Sequence, residues 1–452
     1  MFTEMLKITN IEGTSFGTAS NIYDVYQGDK DQFEDIIDGL ILHKYAEPEL
    51  RDYILRLPEK QQRVAALSCI GADHLLWSRI NEIIKKRETG YKRFQDVYLI
   101  LRDYVKIADV ERKKHGEILT PFIELAQPMI NLVDKYDIKF WQNPNNRVLD
   151  SSAGYGTFLL LAAYKFMKGL KEWEPNEEKR FKWIVENCLY YGELQVKSVF
   201  SWLVIIDPYK EYKTNIYWGD FLSKDFDKHA KNYWNVEKFN LIIQNPPYQE
   251  RKEGFKKTQP MWNLFVKKSI SILEKDGYLV MVHPSGWRNV DGVFKDVQNL
   301  LKERQILELH IQNEKEGLKL FGADTRFDFY ILKNCHNFVE TIIKDQNNNF
   351  DKINISKMDF IPNGAFKEIF ELVAINNEEK VNIIYSRSAY GTDKLNTNKE
   401  KKENFQYPII YTVPKGDKLN LMYSSCNNKG HFGQSKLIWS NGRIISVGSI
   451  ID

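Results

Sequence analysis

Cysteine is scarce in this 452-residue chain: there are four, Cys69, Cys188, Cys335 and Cys426, far apart and in no CxxC pair. That spacing excludes a zinc knuckle or a disulfide framework and fits a reducing cytosol. Cys335 and His336 are adjacent, but no other metal-ligating cluster is near them in sequence, and no metal site is expected. Long apolar runs are also lacking, since none approaches the roughly 18 residues of a membrane span. The first residues, MFTEMLKITNIEGTS, are acidic and polar where a signal peptide needs a cationic start and an apolar core. The expectation is a cytoplasmic protein with no membrane partner. Charge of one sign is lacking as well. With a net charge of +3, any nucleic-acid contact has to come from local basic surface.

What is present is ordinary globular composition, 43% hydrophobic and 28% charged, in a chain long enough for two or three domains. From about Tyr23 to Lys114 apolar residues recur at three and four spacing, as in FEDIIDGLILHKY, HLLWSRINEIIKK and FQDVYLILRDYVKIADV, which predicts helices. From about Leu119 to Lys333 short apolar runs alternate with amphipathic segments, the pattern of a doubly wound α/β domain. Predicted strands end at Asp150, Glu193, Asp220, Asn245 and Pro284. ILELHIQ and RFDFYILKN then follow with no helix-length segment between them, which suggests an antiparallel pair at one sheet edge. After about Lys344 the chain turns rich in Asn and Lys, with broken strand-like pieces around the basic loop GTDKLNTNKEKKENF. The final GRIISVGSIID is apolar, as if the chain stopped inside a fold. The expected organisation is a helical region over 1–112, an α/β domain over 113–340 and a smaller α+β module over 341–452.

The predicted strand ends carry the chemistry, because ligands of open α/β sheets bind at the carboxyl edge. Asp150 closes the first strand, and Ala153, Gly154 and Gly156 follow before a helix that starts near Thr157. Glycines there let the backbone come close to a ligand and supply the φ values of a tight strand-to-helix turn. The full GxGxxG spacing is missing, and Asp150 would repel a diphosphate; it suits a ligand bearing an amine or a sulfonium. Glu193 is placed to accept from two ribose hydroxyls, while Asp220 offers a carboxylate and Phe221 a ring for an adenine. Singly, each such residue is most often a solvated loop. In this order, behind a Gly-rich turn, they point to S-adenosylmethionine as cofactor.

The stretch LIIQNPPYQE, Leu241 to Glu250, sets two prolines after a buried strand. Turn chemistry accounts for Pro246 and Pro247, which cannot continue a ladder. It leaves Asn245 and Tyr248 unassigned. Taken together, DSSAGYGTF, GE, GDFL and NPPY resemble the class I S-adenosylmethionine-dependent methyltransferases, and more narrowly the gamma-type adenine-N6 DNA methyltransferases of restriction-modification systems. HGEILTP upstream, and DGYLVMVHPSGW and LFGADTRFDFYILKN downstream, extend the resemblance over roughly Lys113 to Asn334. SSAGYG departs from the more usual Pro-Ala-Cys-Gly-x-Gly but keeps both glycines.

The resemblance implies a Rossmann-like, seven-stranded mixed sheet. It also implies that the Asn245 side-chain oxygen and the Pro246 carbonyl accept the hydrogens of an adenine amino group. The two prolines fix that geometry in advance. Tyr248 would stack on the target base once it is flipped out of double-stranded DNA. Phe321 would supply a second ring, ordinary core packing being the alternative. Asp150, with Thr120 or Pro121, would hold the methionine end of the cofactor, Glu193 its ribose, and Asp220 with Phe221 its adenine. The C-terminal module would recognise the target, with Lys394, Lys399, Lys401, Lys402, Lys415 and Lys418 on phosphates and solvated charge as the alternative for each. A separate restriction endonuclease is an expected partner. The rival enzymes are glutamine-N5 methyltransferases of release factors and ribosomal RNA methyltransferases. The non-enzyme rival is an inactive methyltransferase fold that binds DNA, which predicts decay of NPPY or of the Gly-rich turn; neither has decayed.

Overall fold

The structure, a computed structural model, describes residues 88–107, 120–194, 211–250, 259–289, 292–336, 339–372, 397–412 and 420–427, two strands at 436–439 and 447–450, and single positions between them. Contacts divide the chain into two units, Met1–Ile369 and Phe370–Asp452.

The first unit is built on a nine-stranded sheet. Its strands are β1 Val148–Asp150, β2 Leu189–Glu193, β3 Asn215–Trp218, β4 Phe239–Gln244, β5 Leu273–Pro284, β6 Gln305–Gln312, β7 Phe327–Lys333, β8 Thr341–Lys344 and β9 Phe350–Ile353. Their spatial order is β3-β2-β1-β4-β5-β7-β6-β8-β9. Strands β1 to β5 run parallel, β7 is antiparallel to both β5 and β6, and β9 closes the far edge antiparallel to β8. The order reverses between β1 and β4, so this is the switch point at which a crevice opens beyond the strand ends. The expected mixed α/β fold is present. β1 is buried along its whole length and β4 at all but Asn240, as continuous apolar runs require when helices cover both faces.

Three expectations need correction. The sheet has nine strands where seven were expected, and the β6–β7 pair is antiparallel but interior, because β8 and β9 lie outside it. β8 and β9, which follow residue 340, belong to the sheet of the first unit. TIIK and FDKI are four-residue strands, the second of them the edge strand, and both are too short to stand out as apolar runs. An eight-residue helix, Glu314–Phe321, also separates β6 from β7, and Asn313 caps it by accepting from Glu316 N.

Most of the helical region expected at the N-terminus lies outside the described residues. Its described helix, α1 Gly90–Ile107, packs on the α/β layer. Phe94 meets Phe181 at 4.9 Å, and Tyr98 stacks on Tyr164 at 4.9 Å. Buried Arg93 pairs with Glu211 at 2.6 Å, and both oxygens of Glu178 accept from Tyr91 N. α1 is therefore part of the structure that supports the sheet.

On the other flank Glu308 of β6 is buried among Lys135, the Tyr136 hydroxyl at 2.7 Å and His310 Nε2 at 2.8 Å. Burial raises a carboxyl, but hydrogen bonds from His310, Lys135 and Tyr136 outweigh it and hold Glu308 down to about 2. A depressed carboxyl stabilises the fold above its unfolded value and loses that contribution as pH falls through its folded one. Acid titration of the melting temperature should therefore show a loss between about pH 4.5 and pH 2 that Glu308→Gln flattens; an unchanged slope would remove Glu308 from the acid response.

The second unit contains a three-stranded antiparallel sheet of Thr397–Asn398, Asn420–Ser424 and Tyr407–Thr412, and a hairpin of Lys436–Trp439 with Val447–Ile450.

Candidate active site

At the carboxyl end of β1 the chain makes its turn into α2, Thr157–Gly169. Gly154 and Gly156 hold φ of 52° and 79°, the left-handed region that a side chain strains to enter. Gly156 is also the N-cap of α2, and a Cβ there would fall 2.2 Å from Trp202 Cε3. Trp202 in turn stacks on Tyr191 at 5.3 Å and 8°, and the Tyr191 hydroxyl donates to Gly154 O at 2.6 Å. Gly156→Ala is expected to cost about 1–2 kcal/mol from its conformation alone and to displace Trp202. Its signature is a lowered melting temperature together with weakened cofactor binding by calorimetry; a variant normal in both would show that the turn tolerates a side chain.

Asp150 is 1% exposed. Burial pushes its carboxyl well above the usual range, Glu193 nearby adds to the rise, and the Ser152 N–H at 3.2 Å opposes it. Glu193 ends β2, where its two oxygens accept from Gly154 N at 2.9 Å and Leu194 N at 2.8 Å. Ala153 N donates to Gly192 O at 3.1 Å, so the Gly-rich turn and the end of β2 are joined by backbone as well. Asp220, just past β3, is exposed and accepts from Leu222 N at 2.9 Å. Phe221 is 2% exposed and packs against Phe226 and Phe265 at 4.8 and 5.3 Å, so its ring lies inside the aromatic core beside that edge.

Asn245 follows β4 directly. The Ser152 hydroxyl donates to its carbonyl at 3.2 Å, and its Nδ2 donates to Thr120 Oγ1 at 3.3 Å. One residue earlier, at the end of β4, Ser151 donates to Gln244 Oε1, and Gln244 Nε2 donates to Ser269 Oγ at 2.6 Å. The end of β4 and the start of NPPY are thus tied to the Gly-rich turn at two consecutive residues, Gln244 and Asn245. Pro246 is buried and Pro247 exposed. The Tyr248 ring meets Phe321 edge to face at 5.8 Å, and Phe321 meets Phe327 at 4.9 Å. The Tyr248 hydroxyl is buried, and burial, with Asp328 as a lesser cause, pushes it upward.

The structure therefore brings Thr120, Asp150, Ala153, Gly154, Gly156, Glu193 and Asn245 to Tyr248 to one sheet edge. It places Phe321, 8% exposed, against Tyr248 on one side and Phe327 on the other. Lys401 and Lys402 are exposed in the second unit, and Lys402 lies 3.8 Å from Glu400. Lys394, Lys415 and Lys418 lie outside the described residues. Sequence reasoning missed Ser152 and Trp202. Ser152 stood inside the quoted SSAGYG run, where a hydroxyl one residue from the turn was the available signal. Trp202 gave none.

A family model described as Eco57I restriction-modification methylase matches residues 160–317. An uncharacterized adenine-specific methylase from Mycoplasma pneumoniae is 24% identical over 277 residues, 46% of this chain and 64% of that relative's length. Among solved structures, a chain of a type I restriction-modification system is similar at a TM-score of 0.48 and 15% identity, covering 72% of this chain and 76% of its own. A type I methyltransferase subunit from Streptococcus thermophilus is similar at 0.43 and 16%, covering 74% and 71%. Likeness of that degree adds nothing to the strand order. The resemblance read from the strand ends agrees with this family match: residues 160–317 are similar to the Eco57I restriction-modification methylases.

Proposed function

We propose that this protein transfers a methyl group from S-adenosylmethionine to the N6 amino group of adenine at specific sites in double-stranded DNA. It would act beside a separate restriction endonuclease. The observation that carries the reading is the tethering of Asn245: its carbonyl is held by Ser152 and its amide nitrogen by Thr120, at the edge where the Gly-rich turn lies.

The residues present fit the cofactor. A left-handed glycine turn admits close backbone approach, and a buried carboxylate that resists ionisation alone is matched to a cationic ligand. Asp150 would bind the methionine amine with Thr120 beside it, Glu193 the ribose through its remaining lone pairs, and Asp220 the adenine amine with Phe221 beneath. When bound, S-adenosylmethionine supplies an electrophilic methyl on its sulfonium. Asn245 Oδ1 and the Pro246 carbonyl accept the two hydrogens of the target amine. Its lone pair, otherwise delocalised into the ring, is then directed outward. Tyr248 stacks on the extruded base, and Phe321 braces Tyr248 from its edge. Lys401 and Lys402 contact phosphates from the second unit.

The test is incubation with labelled S-adenosylmethionine and unmethylated plasmid DNA, followed by digestion to nucleosides and mass spectrometry. Labelled N6-methyladenine is expected. Label that appears instead in release factor or ribosomal RNA would replace the substrate and keep the fold.

A further inference from the structure

We infer that Thr120 is a positioning residue, which works through Asn245 by fixing which way its side-chain amide points. This rests on the proposed adenine methylation and deepens it.

Thr120 and Asn245 are 125 residues apart, yet Asn245 Nδ2 donates to Thr120 Oγ1 at 3.3 Å. The last torsion of an asparagine side chain is soft and roughly two-fold, so an untethered amide presents its oxygen and its NH2 almost interchangeably. The two faces have opposite consequences. An oxygen aimed at the substrate accepts a hydrogen from the target amine, whereas an NH2 group in its place would oppose those same hydrogens. With Nδ2 committed to Thr120, Oδ1 is turned to the other side.

The tether is anchored from Thr120 outward. Pro121 follows it, which confines Thr120 to extended backbone. The Pro121 carbonyl accepts from Leu125 N and Ala126 N at 3.2 and 2.9 Å. Phe122 is 1% exposed and packs edge-on against Tyr98 of α1 at 5.5 Å. The Asn245 end is as firmly held, by the Ser152 hydroxyl on its carbonyl. Two rigid backbones thus meet through one hydroxyl and one amide. The Thr120 hydroxyl keeps its own hydrogen for another acceptor, so a contact with the methionine end of the cofactor and the tether to Asn245 are compatible.

The experiment compares wild type, Thr120→Val and Thr120→Ser in methyl transfer to unmethylated plasmid DNA, with cofactor affinity measured by calorimetry and folding by melting temperature. Valine keeps the shape and removes the acceptor; serine restores it. With S-adenosylmethionine saturating, so that any lost cofactor contact is masked, Thr120→Val should lower kcat about 10-fold, the loss of one net hydrogen bond, and Thr120→Ser should restore turnover. A Thr120→Val protein with weakened cofactor binding and normal kcat would make Thr120 a cofactor contact only and overturn the inference. So would equal losses in both variants that follow their melting temperatures, or no change at all. Wild-type protein that labels no DNA sinks the proposed function itself, and this inference with it; that failure is visible before any variant is compared.

Discussion

Asn245→Ala is expected to lower kcat for methyl transfer by on the order of 100- to 1000-fold, the loss typical of removing one preorganised polar group from a reacting centre. Cofactor affinity should hardly move. The reason lies in how the segment is held. Asn245 contributes to its surroundings through its backbone carbonyl, which Ser152 grips and which alanine retains. Its side chain contacts Thr120, at a hydrogen bond that alanine removes without leaving a buried charge behind. Pro246 and Pro247 keep the backbone of the segment stiff in the variant. Thermal melting should consequently stay close to wild type, and the defect should appear in single-turnover methylation of plasmid DNA with the cofactor saturating. Near-normal turnover would remove Asn245 from the chemistry. A comparable loss in cofactor affinity would mean that the residue serves the neighbouring cofactor site instead.

What the sequence made legible follows from burial. β1, β4 and most of β5 are covered on both faces, so their apolar runs are nearly continuous, and the polar residues that interrupt them fall at the strand ends where ligands bind. β8 and β9 alternate or lie open, and with four residues each they look like loop. The helix Glu314–Phe321 was hidden for a different reason: EKEGLKLF has few apolar residues, and its Gly317 weakens a helical reading. The glycine is there because a Cβ would fall 2.0 Å from Thr325 O, where the returning chain crosses. Within the site, the strand-end residues could be found by type and order. The tethers could not. Ser152 to Asn245 and Asn245 to Thr120 span 93 and 125 residues, and nothing in local spacing marks a serine or threonine hydroxyl as the partner of a distant amide. Trp202, which seals the Gly-rich turn, is likewise placed by tertiary packing alone.

Asp150→Asn should weaken S-adenosylmethionine by on the order of 10- to 100-fold, the worth of a hydrogen bond to a charged group, and abolish the pH dependence of its binding. In the free protein burial raises the Asp150 carboxyl well above its ordinary value, with the Glu193 charge adding to the effect. A raised carboxyl is a liability to the fold: stability falls as pH rises from the unfolded value towards the folded one, and stays low beyond it. A cationic amine at that carboxylate favours the ionised form and lowers the pKa again. Cofactor binding should therefore release a proton from Asp150, and affinity should rise with pH until Asp150 ionises unaided. Calorimetry in buffers of different ionisation enthalpy measures that proton directly. In Asp150→Asn the release disappears, while stability above the raised pKa improves because no charge has to be buried. Weakened binding that still releases the same proton would point to Glu193 as the titrating group. Unchanged affinity in the variant would take Asp150 out of the cofactor site and leave its burial at the mouth of the Gly-rich turn a matter of folding only.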